Sequence, residues 1–153
     1  MAPQLPDDFR EFLKLLNSNG VEYLVIGGYA VVHYGVHRTT EDMDVWVAMS
    51  PENARRLATA VEAFGFGPGT VSPELFLAED QIIRLGVPPL RLKILTTISG
   101  IDFADCYPRR IQSSVDDVDV SFIHLDDLKK NKAASGRSKD RSDLRRLKNR
   151  GRT

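Results

Sequence analysis

The spacing of apolar residues changes several times along the chain, and each change predicts an element. Over 6–18, Phe9, Leu13 and Leu16 recur at helical spacing; Pro6, Asp7 and Asp8 suit a first turn, and Asn19-Gly20 stops the pattern. Residues 21–26 are a continuous apolar run, hence a buried strand, and 28–34 form a short helix closed by Gly35. A second apolar strand spans 42–47. Ser50-Pro51 opens a helix over 51–64, which Gly65 ends, and Ser72-Pro73 opens a short one. Strands at 81–85 and 90–97 flank a turn at Val87-Pro88-Pro89, and 101–110 read as helical. Residues 111–115 and 118–123 form a hairpin around Asp116-Asp117, and 126–148 hold one broken or two short helices interrupted at Ser135-Gly136. This order predicts an α+β fold with a mixed β-sheet flanked by helices.

At 153 residues the chain is the length of one domain and can bury a substantial core. No apolar run approaches the ~20 residues that span a bilayer. The segment MAPQLPDDF has no signal-peptide core, so no membrane association and a cytoplasmic location are expected. A single cysteine, Cys106, leaves no intramolecular disulfide and no Cys-rich zinc site; its apolar neighbours suggest packing. His33 and His37 are four apart, but Gly35 lies between them and breaks the helix that would align them for zinc. The net charge of zero conceals segregation: residues 129–153 hold eleven Lys/Arg and two acids, the remainder ten Lys/Arg and nineteen acids. Such a basic segment, 126–153, suits a nucleic-acid-binding face or a solvated helix set against an acidic body; no aromatic residue is interleaved to stack bases.

The densest chemistry lies in IGGYAVVHYGVHRTTEDMDVWV, residues 26–47. Asp42 and Asp44 are spaced i, i+2, which on a strand sends both carboxylates to one face with Cα atoms roughly 6.5 Å apart. Magnesium is commonly held by one or two carboxylates plus substrate phosphates. Two aspartates among Met43, Val45, Trp46 and Val47 are also costly to bury without a cation. Gly27 and Gly28 lack Cβ atoms, so a phosphate chain could lie against the backbone there, and the following helix would aim unpaired N–H groups at it.

The pattern apolar-Gly-Gly, thirteen residues, Asp-apolar-Asp-apolar resembles the core motif of the polymerase-β-like nucleotidyltransferases. Arg38-x-Thr40-x-Asp42-x-Asp44 is similar to the small bacterial group that includes the AbiEii-type toxins and their single-domain relatives. A second block, Lys130-x-x-Ala133-x-x-x-Arg137-x-x-Asp140-x-x-Asp143-Leu144, resembles that group's C-terminal motif. The resemblance implies the nucleotidyltransferase fold over a single domain, 1–153, with its active site at the edge of the sheet. It implies Mg²⁺ or Mn²⁺ on Asp42 and Asp44, and an NTP bound by Gly27, Gly28, Arg38, Thr40, Lys130 and Arg137. Members usually carry a third acid on the neighbouring strand, where this chain has Lys93. Asp102 and Asp105, further on, could supply the missing carboxylate. The activity implied is transfer of a nucleoside monophosphate from an NTP to an acceptor hydroxyl on RNA or tRNA, a protein or a small molecule. Lys93 would act as a third catalytic position or impair the site. The alternative is a non-catalytic relative that binds nucleotide, RNA or a cognate toxin or antitoxin protein.

Overall fold

The computed structural model describes residues 5–86 and 91–148. One six-stranded sheet runs β3-β4-β2-β1-β6-β5, built from β1 Tyr23–Ile26, β2 Met43–Val47, β3 Ile82–Leu85, β4 Leu92–Leu95, β5 Ile111–Val115 and β6 Val118–Phe122. Pairs β1–β2, β3–β4 and β5–β6 are antiparallel, whereas β2–β4 and β1–β6 are parallel, so the sheet is mixed. Around it lie α1 Asp7–Ser18, α2 Gly27–His33, α3 Pro51–Val61, α4 Phe103–Cys106, α5 Leu125–Ser135 and α6 Ser138–Leu147. The α+β class read from the element order is the observed one.

Local chemistry explains most boundaries. Ser50 accepts a hydrogen bond from the Asn53 backbone N–H at 3.1 Å and, with Pro51 behind it, starts α3. Asp116 and Asp117 both take left-handed conformations, φ 52° and 66°, the geometry of a tight two-residue hairpin turn. Gly136 at φ 66° ends α5 and separates it from α6. The helix expected over 101–110 is shorter than expected. It is one turn of α-helix followed by a 3₁₀ turn, Tyr107–Arg109, because Pro108 has no N–H with which to continue the α-helical hydrogen bonds. The strand carrying the aspartates begins at Met43, so Asp42 is the residue before it. The Val87-Pro88-Pro89 turn and Leu90 lie outside the described residues, as do Arg150 and Arg152 of the basic segment.

The core sits between α1, α3 and the sheet. Phe9, Phe12, Leu13 and Leu16 are the buried stripe of α1, and Val25, Val45 and Ile94 are fully buried in adjacent strands. Buried Asn53 fixes the register of the two central strands. Its Oδ1 accepts from the Glu22 N–H at 2.7 Å, while Nδ2 donates to the Ala48 carbonyl at 2.8 Å and the Glu22 carbonyl at 3.1 Å. The start of β1 is thereby tied to the end of β2, and pairing continues in register until Ile26 faces Asp44.

Candidate active site

The corner between β1 and α2 is built by two glycines. Gly27 has φ 66°, the left-handed region that disfavours a side chain. A Cβ on Gly27 would stand 2.5 Å from Asp44 Oδ2. One on Gly28 would stand 2.7 Å from Arg38 Nη1 and closer still to Thr40 Oγ1. The space that the sequence suggested for a phosphate is therefore filled on its side-chain side by Asp44, Thr40 and Arg38. The glycines let the approach to β2 close onto the start of α2.

Cross-strand register determines what surrounds the carboxylates. Asp44 pairs with Ile26 on one side and Lys93 on the other, and Lys93 pairs with Arg84 on β3. Paired residues point to the same face of a sheet, so Asp44, Lys93 and Arg84 form one row across three strands. Lys93 Nζ lies 3.3 Å from Asp42 Oδ2. Oδ1 of Asp44 is buried without a hydrogen-bond partner. Burial pushes the Asp44 carboxyl above its ordinary value, with Asp42 adding to the rise and Lys93 opposing it.

Two clefts meet at Asp44. One, of about 230 Å³, is polar and is lined by Gly28, Thr40, Asp42, Asp44, Lys93 and Lys139 among others. The other, of about 280 Å³, is lined by Gly27, Asp44, Ile98, Asn131, Lys132 and Arg137 among others. Neither Asp102 nor Asp105 lines either cleft, and both are exposed on or before α4. Among the described residues no group of three or more His, Cys, Asp or Glu is placed to hold a metal. His33 is instead stacked on Phe122 at 3.9 Å. Cys106 is buried, and burial pushes its thiol up to about 11.

A buried ionic cluster fastens the second sequence block to the first. Lys132 Nζ lies 3.0 Å from both Asp140 Oδ1 and Asp143 Oδ2. Arg38 Nε donates to Asp143 Oδ1 at 3.0 Å, and Arg137 Nε to Asp140 Oδ2 at 2.7 Å. Burial would raise the Asp140 carboxyl, but hydrogen bonds from Arg137, Ser135 and Lys132 outweigh it and hold the group well below the usual carboxylate range. Of the basic residues singled out by sequence, Arg38 and Arg137 are brought to this centre, whereas exposed Lys130 lines neither cleft. Lys132 and Lys139 were missed. The signal for Lys132 was present: Leu125, Leu128 and Lys132 share one helical stripe by 3,4 spacing, as do Asp140, Asp143 and Leu147. A charge on an apolar stripe is a charge that must be paired inside.

This architecture is the nucleotidyltransferase fold. It is shared with a candidate nucleotidyltransferase of Thermotoga maritima at TM-score 0.58 and 14% identity, covering 90% of this chain and 88% of the other. The lincosamide antibiotic adenylyltransferase LnuA, with lincomycin bound, matches at TM-score 0.56 and 14% identity over 95% of this chain and 98% of that one. An antigenic nucleotidyltransferase-like protein from Paracoccidioides brasiliensis matches at 0.54 and 20% identity, over 95% and 76%. No curated protein matches in sequence. Residues 3–150 match the model of the nucleotidyltransferases of unknown function, DUF6036, and the chain belongs to that family.

Proposed function

We propose that the protein transfers a nucleoside monophosphate from an NTP to an acceptor hydroxyl in a reaction dependent on Mg²⁺ or Mn²⁺. The observation that carries this reading is the position of Asp44, shared by two clefts, so that two substrates can meet at one carboxylate. The donor set fits a hard cation: Asp42 and Asp44 are two oxygen ligands, and the buried Oδ1 of Asp44 has no partner in the protein. When bound, such an ion offsets charge on the attacked phosphate and on the oxygens that enter and leave.

The chain's own residues do the rest. The polar cleft takes the triphosphate: Thr40 and Gly28 border it, Lys139 and Lys93 set positive charge along it, and Arg84 follows Lys93 in the same cross-strand row. Arg137 reaches the other cleft, whose wall also carries Lys132, itself held by Asp140 and Asp143. The acceptor oxygen bonds to the α-phosphorus as the bond to the bridging oxygen breaks. Pyrophosphate leaves, and the hydroxyl proton passes to water at the cleft mouth. The AbiEii-like motifs support placing the chain near that group. Among the described residues no helix is long and apolar enough to cross a membrane.

A second reading rests on the Lys93–Asp42 ion pair: a protein that binds nucleotide without transferring it and acts with a partner in a toxin–antitoxin pair. Calorimetry with Mg²⁺–ATP on Asp42→Asn and Asp44→Asn, with incubation of the unaltered chain with labelled NTPs and cellular RNA, separates the readings. Nucleotide affinity should collapse in both variants while the fold survives, and label should appear on an acceptor. Unchanged affinity in both variants would refute the metal site; metal-dependent binding with no labelled product would favour the second reading.

A further inference from the structure

We propose that the outer face of α6 docks the phosphate backbone of an RNA acceptor beside the polar cleft. The inference deepens the transferase reading, on which only the acceptor role rests; the binding itself does not. Within α6, Asp140, Asp143 and Leu147 face inward. Both acids are held by Lys132, Arg137 and Arg38. The helix thus spends its negative charge internally and presents only cations outward. Arg141, Arg145 and Lys148, all exposed, follow one flank at i, i+4 and i+7, with axial steps of roughly 6 and 4.5 Å. Lys139 and Arg146 follow the other flank at i, i+7. Among the described residues none of these five pairs with a carboxylate; Arg141 reaches the Ser138 hydroxyl at 3.4 Å and Arg146 the His37 carbonyl at 3.3 Å.

The charge segregation visible in the sequence is therefore only partly cancelled by the fold: among the described residues Arg141, Arg145 and Lys148 make no ion pair with the acidic body. Lys139 lines the cleft that holds Asp42 and Asp44, so the positive face leads to the candidate site. Its composition selects the partner. A membrane surface needs an apolar flank to insert, and the exposed positions of α6 are Ser, Lys and Arg. Protein interfaces centre on desolvated, closely packed anchors, and the exposed positions of α6 add no apolar or aromatic residue around their cations to form one. A closely spaced row rich in arginine matches the repeating phosphates of a nucleic-acid strand. An RNA also offers a ribose hydroxyl as acceptor.

Fluorescence anisotropy of a labelled RNA hairpin, without nucleotide and across a salt series, tests this. The unaltered chain should bind with log K falling against log salt. The triple variant R141Q/R145Q/K148Q should bind roughly tenfold or more weakly, with a slope flatter by about 2 to 2.7. Its melting temperature and Mg²⁺–ATP affinity should be unchanged, because none of the three residues lines either cleft. Equal RNA affinity and slope in both proteins would overturn the proposal. So would displacement of the RNA by polyglutamate or anionic vesicles as effective as that by unlabelled RNA. If neither protein bound Mg²⁺–ATP while the RNA results held, the docking face would stand and the transferase reading would fall.

Discussion

Replacing Lys132 by methionine keeps the length and most of the volume of the side chain and removes its charge. The ammonium is buried and stands 3.0 Å from two carboxylates that are themselves buried. Removing one partner of a buried ion pair costs about 3–5 kcal/mol, mostly for the charge left behind. Here Asp140 keeps Arg137 and Asp143 keeps Arg38, which favours the lower end, about 3 kcal/mol. For a chain of this length that lowers the melting temperature by roughly 6–12 °C. The penalty should depend on pH in a defined direction. The folded Asp140 carboxyl lies below its unfolded value, so the stability it contributes is present above the ordinary carboxylate pKa near 4 and is lost as pH falls through and below it. Lys132→Met should therefore differ most from the unaltered protein at neutral pH and converge with it in acid. Combining Lys132→Met with Asp140→Asn should recover part of the loss, since the buried carboxylate is then neutral and its other partner, Arg137, is 75% exposed to water. Thermal melts from pH 3 to 7 provide the measurement. A shift under about 2 °C at neutral pH, or one unchanged in acid, would refute the claim that this cluster ties α5 and α6 together.

Two more substitutions bear on the candidate site. Gly28→Ala should cost about 1–3 kcal/mol by overpacking against Thr40 and Arg38, and Gly27→Ala more, because left-handed backbone strain adds to its collision with Asp44; urea unfolding of both variants measures the costs. Lys93→Asp should raise turnover and sharpen the divalent-metal requirement by returning a ligand to the strand beside Asp44, whereas Lys93→Ala should not; full activity in the unaltered chain, abolished by Lys93→Asp, would overturn the alignment of that strand.

The sheet was legible because its strands announce themselves by period and by turn chemistry. Asp116-Asp117, Ser50-Pro51 and Gly136 each enforce a local geometry that neighbours only a few residues away decide. The grouping of Gly27, Gly28, Asp42 and Asp44 was legible for the same reason, lying within one β–α–β stretch. What surrounds that group was not. Arg84 enters the row of Asp44 through two successive strand registers, and the tie that sets the central register is a buried Asn53 far along the chain. Register is a tertiary quantity, and no window of sequence contains it. The role of the second block was half legible: its spacing was readable, but choosing Lys130 over Lys132 took the motif letter by letter. The 3,4 stripe through Leu125 and Leu128 would have pointed inward to Lys132.

That buried lysine also clarifies Lys93. Lys132 shows what an ammonium does in this chain when it neutralises two carboxylates: it bridges them at 3.0 Å each, and behind Arg137 and Ser135 it helps hold the Asp140 carboxyl below its usual range. Lys93 does neither for the Asp42–Asp44 pair. It reaches Asp42 at 3.3 Å and leaves Asp44 Oδ1 buried and unpartnered. Burial then outweighs the attraction of Lys93, and the Asp44 carboxyl rises instead of falling. Side chains of Lys93 and Asp42 are 29% and 31% exposed, so water screens their attraction and keeps it well short of a buried pair's. A lysine that had taken the place of a metal would sit between both carboxylates, as Lys132 sits between Asp140 and Asp143. Lys93 stands to one side, which leaves the negative charge of Asp44 for another cation and favours the transferase reading over a site already satisfied from within.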